Sequence, residues 1–170
     1  TGVGSWAASI IGYIMKEWQN PPACISVEPH SANCLFESIK TGNRVSVKND
    51  ETTTMAGLNC GSVSTLAWNI LKNGLVGSIS ISDKLSEEAM ITLASPVSGD
   101  PVIISGESGA SGLGALIGLC KKHDFNTFKE KICLNKTSTV LVINTEGDTD
   151  RSNYKRVMAA NIENNFQFQK

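Results

Sequence analysis

Gly2-Val3-Gly4-Ser5 leads straight into apolar residues at helical spacing, Ile10, Ile11, Tyr13, Ile14 and Trp18. A glycine-rich loop that opens a helix turns several backbone N–H groups toward one point, where the helix dipole also favours an anion. Gly2 and Gly4 permit positive φ and close approach of the backbone, and the Ser5 hydroxyl adds a donor. The chemistry this suggests is phosphate binding. The same residues also satisfy Gly2-x-Gly4-x-x-Ala7, the dinucleotide fingerprint, with Glu28 placed as a ribose-binding acid would be. That pattern calls for a strand ahead of Gly2. The loop alone leaves a phosphate cradle, a dinucleotide site and an ordinary flexible segment all open.

Two further loops carry groups that could do chemistry. Ser105-Gly106-Glu107-Ser108-Gly109-Ala110 follows the apolar run Val102-Ile103-Ile104, and Asn144-Thr145-Glu146-Gly147-Asp148 follows the β-branched run Thr139 to Ile143. Gly106-Glu107-Ser108-Gly109-Ala110 approaches a hydrolase nucleophile elbow but lacks its last glycine. The order Ser108, His123, Asp148 is also not the serine, acid, histidine order of those enzymes. His123 beside Lys121 and Lys122 reads as a solvated helix end, and His30 as either a ligand-edge residue or a loop histidine. The five cysteines include no C-x-x-C pair, so zinc and thiol-redox motifs are absent and no metal site is expected. Cys34 and Cys60 fall near element ends, where a close pair is compatible with the sequence.

The elements that must position these loops alternate in type. Helices are expected from Trp6 to the Pro21-Pro22 stop, over 32–40 until Gly42, and over 64–71. Others are expected from Ser86, as an N-cap, to about Ala94, over 110–120, over 125–132, and from the cap Asp150 to Met158. Strands are expected at 23–28, 78–82, 102–104 and 139–143, with an edge strand at 44–48 and an irregular threonine-rich stretch at 51–57. Such alternation predicts an α/β fold with a parallel or mostly parallel sheet and helices on both faces. Ligands then gather at the carboxyl ends of the strands, the edge that holds the loops after Glu28, Ile81, Ile104 and Ile143.

With 41% hydrophobic and 18% charged residues, the 170-residue chain holds material for one packed core. A net charge of −1 gives no footprint for nucleic acid or an anionic membrane. No stretch approaches the roughly 20 apolar residues of a membrane span, so a cytoplasmic protein is expected. The polar segment 161–170 reads as a tail that frays.

Four stretches taken in order carry a resemblance. Gly2-Val3-Gly4-Ser5, Thr53-Thr54-Met55-Ala56-Gly57-Leu58-Asn59-Cys60-Gly61, Ile104-Ser105-Gly106-Glu107-Ser108-Gly109-Ala110 and Thr145-Glu146-Gly147-Asp148-Thr149-Asp150 are similar to stretches of the diaminopropionate ammonia-lyases. That family belongs to the pyridoxal-phosphate enzymes of fold type II. The resemblance implies that residues 1–160 form the C-terminal portion of the large, cofactor-binding α/β domain. It implies pyridoxal phosphate as cofactor, with Gly2, Val3, Gly4 and Ser5 around its phosphate and Asn144 or Thr145 at its pyridine nitrogen. Related enzymes often carry serine where Asn144 stands. Thr53, Thr54 and Gly57 would lie beside the ring, and Glu107 could meet a substrate ammonium group or orient loops.

In the complete enzyme, the resemblance implies α,β-elimination of a small amino acid, 2,3-diaminopropionate, to pyruvate and ammonia. No catalytic residue is expected in this chain. The Schiff-base lysine and its partner carboxylates are expected in an upstream part of the same enzyme, so that the chain alone is inactive and the complete enzyme a homodimer. A nicotinamide-binding Rossmann module and a non-enzymatic interaction domain are the competing readings.

Overall fold

The structure, a computed structural model, describes residues 1–48, 51–97, 99–121 and 123–167. The helix expected after the glycine loop is α1, Ser5–Glu17, with Ala8, Ile11 and Ile14 on its buried face. Strand β1, Cys24–Pro29, follows, then α2, Cys34–Thr41, which ends on Gly42 at φ 73° with the Gly42 N–H bonded to Ile39 O. Helix α3, Thr65–Gly74, feeds directly into β2, Leu75–Ile81, and then α4, Asp83–Ala94. The chain finishes with α5, Glu107–Lys121; α6, Asn126–Lys131; and α7, Arg151–Gln167.

Among the described residues the sheet is the parallel pair β1–β2, in register from Ile25↔Gly77 to Pro29↔Ile81. Side chains alternate between its faces. Cys24 and Leu75 join the core formed with α1, α2 and α3, where Leu35 and Leu71 are fully buried. Val27, Ile79 and Ile81 pack on the opposite face against Ala115 of α5 and against Met55. The Ser26 and Ser78 hydroxyls pair between the strands at 2.7 Å. A third cluster joins α4, α5 and α7 through Ala89, Met90, Ala110 and Val157. The α/β class, parallel pairing and helices on both faces are as expected.

Several elements differ from expectation. Residues 102–104 and 139–143 carry strand-forming side chains but pair with no strand in the structure. A strand needs a neighbour to pay for ordering it, and here Val102, Ile104, Leu141 and Ile143 are exposed. The expected edge strand at 44–48 is reduced to one antiparallel bridge, Ser46↔Ser62, beside a Val47 N–H to Gly61 O bond of 2.9 Å. Helix α4 begins earlier than expected. Ser82 is its N-cap, and Ser86 lies inside it, donating its hydroxyl proton to Glu107 O. Helix α7 continues past Met158 to Gln167, into the expected tail; residues 168–170 and the His123 side chain fall outside the described residues.

Candidate functional site

Gly4 is the N-cap of α1 at φ 87°, and no side chain caps the helix. Its carbonyl accepts the first helical bond from Ala8 N at 2.8 Å, so the N–H groups of Ser5, Trp6 and Ala7 have no intrahelical partner. A Cβ at Gly4 would stand 2.7 Å from Leu71 Cδ1, so both its conformation and its neighbours demand glycine. Val3 O accepts from Ser64 N at 2.9 Å, and Thr1 Oγ1 donates to Val27 O at 3.2 Å. The loop is thereby pinned between the start of α3 and the end of β1. Val3 and Ser5 are exposed, which leaves the free amides open to a ligand.

From this loop a line of close approaches and hydrogen bonds reaches the loop after residues 139–143. A Cβ at Gly2 would lie 3.0 Å from Gly57 O, and Gly57 N–H donates to Ser108 Oγ at 3.1 Å. Ser108 N and Gly109 N, in the first turn of α5, donate to Glu146 Oε2 at 2.8 and 3.2 Å. Glu146 N in turn donates to Asn144 Oδ1 at 3.1 Å. Gly2, Gly57, Ser108, Glu146 and Asn144 are therefore brought close together. Thr145 is exposed beside them.

Glu146 was legible as part of a motif but not as what it is, the carboxylate that closes the N-terminus of α5. Asp83 does similar work: Thr53 Oγ1 and Thr54 N donate to its two oxygens at 2.5 and 2.9 Å, holding the 53–55 turn. Thr54 Oγ1 is buried and has no hydrogen-bond partner among the described residues, a state that costs about 1–3 kcal/mol unless a ligand or water relieves it. Thr53, Thr54 and Ala56 line a cleft of about 540 Å³ with Asp150, Ser152, Asn153 and Arg156 of α7 and its cap. The Asn153 N–H and then the Ser152 hydroxyl hold the Asp150 carboxyl below the usual range, and Asp150 caps α7 as expected. Glu107, 5% exposed, accepts from Asn153 Nδ2, and Arg156 joins Asn153 to Glu87. The Glu107 carboxylate thus ties α5 to α7 through Asn153, which lines the cleft.

Glu28 does not meet the requirement of a ribose-binding acid. It is 0% exposed, and its oxygens accept from Leu35 N at 2.9 Å and Phe36 N at 2.6 Å, closing the first turn of α2. Burial pushes its carboxyl above the usual range, opposed by those two N–H groups. The dinucleotide reading loses its acid on this ground. Cys34 and Cys60 are free thiols. Burial, then the Glu28 carboxylate, then nearby Cys60 push the Cys34 thiol up to about 12. His30 Nδ1 lies 2.6 Å from Ser80 Oγ, at the carboxyl ends of β1 and β2. Among the described residues no three metal-binding side chains converge, and no helix is long and apolar enough to cross a membrane.

Comparison with known proteins bears on this geometry. The sequence profile of the family described as pyridoxal-phosphate dependent enzyme matches residues 1–146. The diaminopropionate ammonia-lyase of Escherichia coli strain K12 is 43% identical over 159 residues, covering 92% of this chain and 40% of that protein. The diaminopropionate ammonia-lyase of Salmonella typhimurium is 39% identical over 161 residues, with the same coverage. The crystal structure of the Escherichia coli enzyme in complex with an aminoacrylate–PLP azomethine reaction intermediate superposes with a TM-score of 0.83. It is 40% identical over 93% of this chain and 40% of that one. The chain therefore spans about two fifths of the length of the curated relatives it matches.

Proposed function

The chain belongs to the pyridoxal-phosphate dependent enzyme family, and on that premise we propose that it is the phosphate- and ring-nitrogen-binding part of a diaminopropionate ammonia-lyase. The observation that carries this reading is the line of contacts from Gly2 through Gly57, Ser108 and Glu146 to Asn144. It joins the glycine loop to the loop after residues 139–143, where the resemblance puts a ring-nitrogen partner.

The residues fit the cofactor on their own geometry. Gly4 at φ 87° turns the chain into α1 with the first N–H groups of the helix unbonded within it, and its lack of a Cβ lets the loop pack on Leu71, Ala67 and Val63. Thr54 Oγ1 is a buried polar atom that awaits a partner. In the proposed site Gly2, Val3, Gly4 and Ser5 hold the phosphate, chiefly through backbone amides, while Asn144 or Thr145 holds the pyridine nitrogen. Gly57, with the Thr54 side chain, flanks the ring. Glu107, whose Oε1 accepts from Asn153 beside the cleft that Thr54 lines, is the acid placed to meet a substrate ammonium group or to orient the loops.

Pyridoxal phosphate supplies a sink for the electron pair left on a substrate α-carbon when its proton is removed. The chain's own residues bind and orient. They offer neutral donors at the ring nitrogen, which suits elimination of a β-amino group from 2,3-diaminopropionate to give pyruvate and ammonia. The covalent lysine and the proton-transferring base are assigned to a part of the enzyme other than these 170 residues, in keeping with the 40% coverage of the relatives. The chain by itself then binds the cofactor weakly and turns nothing over. Reduction with borohydride in the presence of pyridoxal phosphate tests that assignment: the chain should acquire no stable pyridoxyl label on a lysine, and a single labelled lysine would overturn it. For the activity, an enzyme carrying this chain together with the lysine-bearing portion should release pyruvate from 2,3-diaminopropionate. No release from a folded, cofactor-loaded protein would contradict the reading.

A further inference from the structure

Asn153 lies in the first turn of α7, and each end of its side-chain amide meets a partner that admits one orientation. Nδ2 donates to Glu107 Oε1, a carboxylate oxygen, while Oδ1 accepts from Arg156 Nε at 2.7 Å, a nitrogen that only donates. Arg156 Nη2 in turn donates to Glu87 of α4. The backbone of Glu107 is fixed as well, because its carbonyl accepts from the buried Ser86 hydroxyl. Glu107 Oε2 accepts no hydrogen bond among the described residues. Thr54 Oγ1 is the buried side-chain atom without a partner there, so Oε2 reaches solvent.

The charges around the cleft of Thr54, Asn153 and Arg156 favour a cation. The Arg156 guanidinium is engaged by Glu87 and Asn153, and Asp150 accepts from Asn153 N at 3.0 Å and Ser152 Oγ at 2.8 Å. Against that one guanidinium stand three carboxylates, Glu87, Glu107 and Asp150. The next residue of the same turn of α5, Ser108, accepts from Gly57 N–H, so Glu107 adjoins the residues proposed to flank the cofactor ring.

We propose that Asn153, backed by Arg156, is a positioning residue that holds the Glu107 carboxylate with one oxygen free for the second ammonium group of a diamino-acid substrate. It thereby sets the preference for such substrates over amino acids whose β-substituent is uncharged. This rests on the proposed function and chooses the ammonium contact from the two roles given there to Glu107.

Two measurements separate the hold from its use. In the chain without cofactor, the Asn153 side-chain amide protons should exchange with water at least about fivefold faster in Glu107→Ala than in wild type, and to an intermediate degree in Glu107→Gln. Equal exchange in all three would overturn the hold. In the complete enzyme, Asn153→Leu removes the donor at similar size. It should lower kcat/KM for 2,3-diaminopropionate at least about tenfold, chiefly through KM, and change that for 3-chloroalanine, which has no second ammonium group, by less than about twofold. Asn153→Gln, which keeps donor and acceptor, should recover part of the loss. Arg156→Lys, a change at a half-exposed side chain, should give a smaller loss with the same selectivity. Equal effects on both substrates, or none on either, would overturn the inference and leave the proposed function standing. A wild-type enzyme that eliminates from 3-chloroalanine but not from 2,3-diaminopropionate would contradict the proposed function itself.

Discussion

Gly57 N–H donates to the Ser108 hydroxyl oxygen at 3.1 Å, and this bond joins the threonine-rich turn to the first turn of α5. Around it the glycine loop at the start of α1 and the loop that holds Asn144 and Glu146 come together.

Removing that link should affect binding more than folding. Gly57 is exposed, so water can replace the lost acceptor in Ser108→Ala, and the stability cost should be about 0.5–1 kcal/mol in denaturant unfolding. Affinity for pyridoxal phosphate should fall several-fold, because Gly57 and Gly2 lose their common anchor. Unchanged affinity would detach the turn from the site.

Two glycines of the same conformation give an internal control. Gly4 and Gly42 have φ of 87° and 73°, but a Cβ meets Leu71 Cδ1 at 2.7 Å in the first and nothing within 4 Å in the second. Gly42→Ala should cost about 1 kcal/mol, the left-handed backbone alone, while Gly4→Ala adds overpacking of about 1–3 kcal/mol. Cofactor affinity should fall in Gly4→Ala and hold in Gly42→Ala. Thermal unfolding and a cofactor titration of both variants decide it.

Stability should depend on pH through Glu28. Its folded carboxyl lies above the ordinary value of 4.5, chiefly through burial, so its contribution is fully present below that value and is lost as pH rises through the raised one. Glu28→Gln cannot ionise, yet it loses one of the two acceptors for Leu35 N and Phe36 N. Wild type should therefore exceed Glu28→Gln in stability most at acid pH, with the gap narrowing as pH rises above the glutamate range. Unfolding of both proteins across a pH series measures the gap; one that widens would contradict the assignment.

Thiol reactivity should sort by exposure and ionisation. Cys34 is buried, with its thiol pushed up to about 12, whereas Cys120 and Cys133 are exposed. Alkylation of the native chain near neutral pH should reach Cys120 and Cys133 first and Cys34 last, as mass spectrometry of timed samples would show.

What the sequence disclosed was what short range controls. Periodicity placed α1, Gly42 ended α2, and Asp150 capped α7, each through partners within a few residues. The carboxylates that organise the site escaped because their partners are distant: Glu146 caps α5 from 38 residues away, and Asp83 holds Thr53 from 30. Glu28 looked like a ligand acid because motif spacing cannot show that its oxygens turn inward to α2. The runs at 102–104 and 139–143 have strand composition, but pairing depends on neighbours that composition does not supply.

The most direct test of the cofactor site is an NMR titration of the chain with pyridoxal phosphate, with inorganic phosphate and NAD as controls. Pyridoxal phosphate should shift Gly2, Gly4 and Ser5 together with Asn144 and Thr145, phosphate should shift only the first group, and NAD should shift neither. Shifts confined to one segment with the full cofactor, or a response to NAD that reaches Glu28, would contradict it.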